Sequence, residues 1–420
     1  MNPEEFAHRV LVNVARHIKD GKDLEQKEIV ARIMQEEFQP QDPRYAEWLE
    51  RVEKRVNWLL SDPEGDYPLL ARFLQQTGED ALEDKPWDEL CPTGAIYQDE
   101  SGKWLVYPEL CIGCQLCVDH CIADAIIHHS EFATVALLIM ERSEHPVYAI
   151  VAPSFVGQFG PAVTPEKFKT ALRSLGFADV LEVALAADVI TRQEAEEFVR
   201  RMHQGDPFMI TSCCCPVFIK LVEKIRPKIA HLVSLTVSPM IALGQMLKQR
   251  EPDCKVVFIG PCLAKKTEAR NYQPNGPVDC VLTYKELKAL LEAAEVSLEI
   301  TAGEEMLEDA SRDGRRYAHI RGVTTAICNA VRQIAPDLEI KPVYGDGIRE
   351  CSRLLKELEE GVLEANFMEG MGCLHGCIGG PGTLLPPEQA FQEVEAHAAG
   401  ACVRRAFDNQ KASRWAAGRF

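Results

Sequence analysis

The apolar positions of this chain change rhythm along its length, and each change marks a different kind of structure. Phe6, Val10, Val14 and Ile18 recur near a helical period, and Ile29, Ile33 and Phe38 continue it. Gln39-Pro-Gln-Asp-Pro43 breaks that pattern, a second helix is predicted over about 44–60, and Asp62-Pro-Glu-Gly65 ends it. Residues 1–85 thus read as a helical extension without cysteine, suited to docking or oligomerisation. From about 86 to 130 the texture becomes short, turn-dense and rich in cysteine. Beyond about 146 strand and helix signals alternate. Residues 147–152, 208–211 and 255–259 look like buried strands, and 165–175 like a helix. Such alternation predicts an α/β domain over 146–400 whose ligands gather at strand ends. A helix from Gln389 and a basic tail, 401–420, end the chain.

Composition narrows the field. With 420 residues and 46% hydrophobic content the chain can bury a large core divided among two or three domains. Its net charge of −18 argues against nucleic acid as a partner, because phosphate binding needs basic surface. Residues 1–90 carry 21 acidic against 12 basic side chains, which reads as a solvated acidic face. No apolar run approaches the roughly 18–20 residues of a membrane span, and the opening Met-Asn-Pro-Glu-Glu has no leader character. Sixteen cysteines in so long a chain fit a reduced cytoplasm, with thiols serving metal rather than disulfides.

Two cysteine patterns carry the chemistry. Cys111-x2-Cys114-x2-Cys117-x3-Cys121 is the spacing of a bacterial ferredoxin loop, and Cys91-Pro-Thr-Gly-Ala-Ile96 looks like the end of a preceding one. No cysteine precedes Cys91, so the partner trio of a second cube is missing. One 4Fe–4S cube held by Cys91, Cys111, Cys114 and Cys117 is expected, with Cys121 a remnant or alternate ligand; a zinc site is the competing reading. The second pattern is three separated turns: Thr211-Ser-Cys-Cys-Cys-Pro216, Gly260-Pro-Cys-Leu-Ala-Lys265 and Met371-Gly-Cys-Leu-His-Gly-Cys377. Each follows an apolar stretch, so the thiols belong on turns at the ends of buried elements, as soft ligands suited to iron–sulfur chemistry.

Taken in order, these turns resemble the signature of the iron-only (FeFe) hydrogenases: Thr-Ser-Cys-Cys-Pro, Pro-Cys-x-x-Lys-x-x-Glu and Glu-x-Met-x-Cys-x-x-x-Cys-x-x-Gly-Gly. The matching segments here are 211–216, 261–268 and 369–380, and the likeness covers about residues 86–400. It implies a two-lobed catalytic domain preceded by the ferredoxin-like module. It also implies a second cube on Cys215, Cys262, Cys373 and Cys377, with Cys377 bridging to a two-iron unit that carries carbon monoxide, cyanide and a dithiolate. Lys265, Ser154, Pro153, Pro261 and Met371 would face that unit. Protons would pass Glu194, Ser234, Glu197 and Cys214, with Arg201 where the family has a salt-bridging arginine. A ferredoxin-type carrier would exchange electrons, and maturation proteins would build the two-iron unit. A hydrogen sensor using the same cofactor, or a non-catalytic iron–sulfur relative, are the alternatives.

Departures from the pattern are Cys213, an added thiol, and Gly260 and Met240, which stand where many members have methionine and glutamine. Cys254, Cys280, Cys328, Cys351 and Cys402 fit no motif and are expected to pack as small hydrophobes. His375 is expected to be an exposed turn residue.

Overall fold

The computed structural model describes residues 3–21, 25–60, 71–73, 90–100, 102, 104–107, 109–114, 116–119, 126–128, 130–140, 144–211, 214–272, 275–303, 306–307 and 309–418. Cys121 and Cys213 lie outside the described residues. Among those described, no helix is long and apolar enough to cross a membrane.

Two parallel sheets organise the larger part. One has strand order β6-β5-β8-β9, with β5 Val147–Val151, β6 Asp179–Glu182, β8 Lys255–Ile259 and β9 Cys280–Leu282. The other has order β10-β11-β7, with β7 Met209–Ile210, β10 Pro342–Asp346 and β11 Phe367–Met371. All their pairings are parallel, so helices must cover both faces and the central strands become buried. Indeed β11 is buried at every position and β8 at all but its first. The α/β expectation holds. The Val183–His203 helix lies among the lobes, packed on the Pro239–Arg250 and Gly322–Ile334 helices, and 14 of its 21 residues are buried.

The predicted extension is three helices rather than two: α1 Pro3–Lys19, α2 Gln26–Glu37 and α3 Tyr45–Leu60. The unseen break follows Gly21, whose left-handed φ of 67° lets its N–H cap Ile18 O at 2.9 Å. Nor are residues 1–85 helical throughout. Ala71–Phe73 (β1) pairs antiparallel with Ile126–His128 (β4), so it joins the cysteine-rich segment. That segment adds the β2–β3 hairpin, Ile96–Gln98 on Trp104–Val106.

The apolar face of α1 is covered within the chain. It packs on the Tyr284–Ala293 and Phe132–Met140 helices. Phe6, Val10, Val14 and Ile18 share one core with Val147, Leu287 and Leu290, and ion pairs His8–Glu292 (2.7 Å) and Lys285–Glu4 (3.0 Å) flank the seam. The basic tail is likewise built in. Ala412 and Trp415 of the Gln410–Ala416 helix are buried in the core beside Met240 and Val256, and Asn409 donates to Asp188 at 2.7 Å. Basic residues there hid an apolar face only two side chains wide.

Candidate functional site

Four turns follow the C-terminal ends of four parallel strands, two from each sheet. Ser154 follows β5, Cys262 follows β8, Cys214 and Cys215 follow β7, and Cys373 and Cys377 follow β11. Strand direction thus aims all of them at one region between the lobes, the place where open parallel sheets gather ligands. The side chains meet there. Cys377 lies within electrostatic reach of Cys262, Cys214, Cys215 and Lys265, and Cys262 within reach of Cys215. Gly372, next to Cys373, donates its N–H to Cys215 Sγ at 3.3 Å.

Burial sets the chemistry of these thiols. It pushes the Cys377 thiol well above its ordinary value, with the neighbouring thiols adding to the effect, and it pushes Cys262 to about 11. Several buried thiols facing one another cannot all ionise unless cationic charge is supplied. Lys265 supplies some. Burial works to lower its pKa, but Glu268, at 2.6 Å, and the thiols of Cys262 and Cys214 outweigh that and hold the ammonium charged. Among the described residues, no three His, Cys, Asp or Glu side chains are spaced to hold a single metal ion. The donor set instead fits an iron–sulfur cube, whose separate irons each take one thiolate.

Ser154 and Met371 are buried. Ser154 Oγ is 2.8 Å from Tyr284 Oη, and Tyr284, fully buried and in reach of Cys377, has its phenol pKa raised by burial. Nothing in the sequence marked Tyr284 beyond its place after the capping residue Thr283. Two of the three departures, Gly260 and Met240, also have a structural account. A side chain at Gly260 would begin 2.6 Å from the Phe258 ring, so methionine has no room. Met240 is buried in the apolar cluster that holds Ala152 and Phe258, with Cys214 packed against it.

A chain of hydroxyls and carboxylates leads to the first cysteine turn. Glu194 and Glu197 share a face of the Val183–His203 helix at i, i+3 spacing. Thr211 donates to Glu194 at 2.6 Å, and Thr236 donates to its other oxygen at 3.0 Å. Thr236 and Ser234 hydroxyls are 3.1 Å apart, and Ser234 donates to Glu197 at 2.8 Å. Arg201 pairs with Glu197 at 2.8 Å and donates to Leu232 O and Val233 O. The expected order is therefore reversed: Glu194 adjoins the cysteine turn through Thr211, and Glu197 sits outward beside Arg201 and Leu235, which is 84% exposed. Sequence reasoning missed Thr211 and Thr236. In an extended segment residues two apart share a side, so Ser234-Leu-Thr236 held the clue. Burial raises the Glu194 pKa, against the pull of the Thr211, Thr236 and Ser234 hydroxyls.

The ferredoxin-like cysteines form a separate group. Cys91 and Cys111 lie within reach of Cys114, whose thiol burial pushes to about 12. Amides cap the sulfurs: Ala95 N–H on Cys91 at 3.2 Å, with Gly113 and Leu116 N–H on Cys111 and Cys114. Cys117 is half-buried on the short Leu116–Asp119 helix. Of the cysteines without motif, Cys254, Cys280, Cys328 and Cys351 are buried as expected, whereas Cys402 is exposed. It follows a helix C-terminus rather than lying within an element. His375 is exposed on its turn, with a left-handed φ of 66°.

Residues 145–381 match the family model for the iron-only hydrogenase large subunit, C-terminal domain. The chain belongs to that family. Residues 104–127 match the 4Fe–4S binding domain. Iron hydrogenase 1 of Clostridium pasteurianum is 29% identical over 277 residues, 56% of this chain and 48% of that protein. The chain therefore spans about half the length of that relative. The nuclear prelamin A recognition factor of Mus musculus is 25% identical over 335 residues, 65% of this chain and 72% of that protein. The solved FeFe-hydrogenase HydA1 of Chlamydomonas reinhardtii shares the fold with a TM-score of 0.57 at 20% identity, covering 67% of this chain and 93% of that one. Family membership thus covers the lobes that carry all three cysteine turns.

Proposed function

We propose that this member of the hydrogenase family is an active hydrogenase, interconverting protons plus electrons with dihydrogen. The observation that carries the reading is the unbroken hydrogen-bonded chain, Glu197–Ser234–Thr236–Glu194–Thr211, ending at the turn of Cys214 and Cys215. A purely structural cysteine site has no use for two buried glutamates joined by hydroxyls. When bound, a two-iron unit with carbon monoxide, cyanide and dithiolate ligands supplies the hydrogen chemistry, and two 4Fe–4S cubes supply the electrons.

Cys215, Cys262, Cys373 and Cys377 would hold the inner cube, and Cys377 would bridge to the two-iron unit. Cys91, Cys111, Cys114 and Cys117 would hold the outer one. Lys265 offers a buried ammonium to anionic ligands, and Ser154 offers a hydroxyl oriented by Tyr284. Pro153, Pro261 and Met371 exclude water around them. Glu197 would take protons near the exposed Leu235 loop, and Cys214 would hold the last one beside the reacting metals. The half-buried outer cysteines would face a ferredoxin-type carrier, maturation proteins would insert the two-iron unit, and a cytoplasmic location suits reduced thiols.

The test is hydrogen uptake with methyl viologen by matured protein, together with infrared bands of metal-bound carbon monoxide and cyanide. Fast uptake with those bands supports the proposal. A second reading, a non-catalytic iron–sulfur relative, is supported by the likeness to the prelamin A recognition factor. Protein that holds both cubes yet shows no such bands after maturation selects it. Bands with only slow turnover select a hydrogen sensor, the reading that the Gly260 and Met240 departures favour.

A further inference from the structure

The two cysteine groups are not insulated from each other. Ile112 of the outer loop is buried in the same apolar cluster as Val217 and Phe218, and Cys114, Cys215 and Cys262 all pack against it. Lys224 donates to Cys111 O at 2.8 Å, tying the outer loop to the segment that follows Cys215. Inside this seam lies Lys220, last residue of the Pro216–Lys220 helix that starts at Cys215. It is only 9% exposed, and among the described residues its Nζ has no hydrogen-bond partner. Burial and Lys224 work against its charge, while Cys111, Glu268 and Cys262, all within electrostatic reach, favour it.

A buried, unpaired ammonium is costly unless nearby anionic charge compensates it. Lys224 adds repulsion, and Glu268 is already engaged with Lys265. What remains is the thiol sulfurs of both groups. We propose that Lys220 is a positioning charge shared by the two cubes, raising the reduction potential of both and so favouring their one-electron-reduced forms. The inference rests on the proposed presence of a cube at each group. The electron for each reduction comes from the ferredoxin-type carrier proposed above, with no bond made or broken. Each cube gains a unit of negative charge on reduction, so a fixed positive charge alongside favours the reduced form. An arginine or lysine elsewhere on the surface would be screened by water; Lys220 is not.

The experiment is an EPR-monitored redox titration of the as-isolated iron–sulfur protein and its Lys220 variants, with iron content measured alongside. In K220Q the reduced-to-oxidised ratio of both cubes at a fixed potential should fall about tenfold, a shift of about 59 mV for a one-electron couple. K220R, which keeps the charge, should titrate close to the parent. Two cube signals that do not move in K220Q overturn the proposal and leave the functional reading intact. An equal shift in K220R and K220Q overturns it too, because packing and not charge would then be responsible. K220M is a second neutral variant. If both neutral variants lose iron while K220R retains it, Lys220 is structural and the tuning role falls. A parent protein without any reducible cube removes the functional reading, and this inference with it.

Discussion

The two thiol groups of this chain solve one problem in opposite ways. The outer group is assembled from about thirty neighbouring residues, with backbone amides capping the sulfurs and only short strands around them. The inner group draws on turns as far apart as 214 and 377, and its thiols stand at the ends of strands from two sheets. Local spacing builds the first; the register of two parallel sheets builds the second. A local loop can lose a ligand and leave the rest of the molecule in place. A site built by the fold fails with the fold, but it can recruit buried acids and hydroxyls that no loop could hold.

The largest expected effect tests that division directly. Cys377→Ser should abolish hydrogen turnover and remove the inner cube's iron. Cys117→Ser should remove only the outer cube's iron and keep viologen-linked turnover within about tenfold, or 1.4 kcal/mol. Small dyes need not enter through the outer cube. Iron per chain and viologen-linked rates on matched preparations check both. Equal losses in the two variants would erase the distinction between a relay and a reaction centre.

Next comes the acid chain, which among the described residues leads to the inner group. Glu194→Gln should slow turnover by roughly 10²–10⁴-fold, the span usual for a removed general acid–base group, with both cubes and their EPR signals intact. Ser234→Ala should cost more than Thr236→Val, because the Ser234 hydroxyl bonds Glu197 and also reaches Glu194, whereas Thr236 reaches Glu194 alone of the two acids. Turnover unchanged in Thr236→Val, measured by viologen-linked uptake, would remove that residue from the path.

The contrast also explains what could be read from the sequence. Ferredoxin spacing is local, so the Cys111, Cys114 and Cys117 loop was legible, and so were three turns following apolar runs. Their meeting was legible only through their order. The direction of the acid chain was not. At i, i+3 the two glutamates are equivalent until tertiary structure sets Arg201 beside one and Thr211 beside the other. Tyr284, Thr236 and Lys220 escaped for the same reason: each owes its role to partners distant in sequence. The docking of α1 on the Tyr284–Ala293 helix escaped because an amphipathic face does not name what covers it.

Smaller effects should follow from glycines beside each group. A Cβ at Gly370, on β11, would fall 2.3 Å from the ring of Phe218, itself 1% exposed and unable to swing away. Gly370→Ala should therefore destabilise by about 1–3 kcal/mol through overpacking. At Gly94, near Cys91, φ is 65° and nothing lies within 4 Å of an added Cβ, so Gly94→Ala pays only the left-handed backbone cost, about 1 kcal/mol. Urea midpoints of the two variants check the ranking. A Gly94 variant as unstable as the Gly370 one would mean that the outer loop is packed as tightly as the sheets.

The last effect shows as a change of slope with pH, from a buried carboxyl of the inner group. Glu369, fully buried on β11, accepts from Arg321 N–H at 3.0 Å, Thr324 N–H at 2.7 Å and the Thr324 hydroxyl, yet burial still pushes its pKa to about 7. The folded protein thus holds this proton more tightly than the unfolded chain, where a glutamate titrates near 4.3. Stability from this group is complete below about pH 4, falls as pH rises toward 7, and is flat above that, a swing on the order of 3 kcal/mol. Glu369→Gln should lower stability through its lost acceptor but also flatten that slope, so the difference between variant and parent should shrink from pH 4.5 to 7.5. Urea midpoints across that range check the sign. A difference that does not shrink with pH would show Glu369 ionised throughout, and the strand beneath Cys373 would then carry a buried charge rather than a neutral acid.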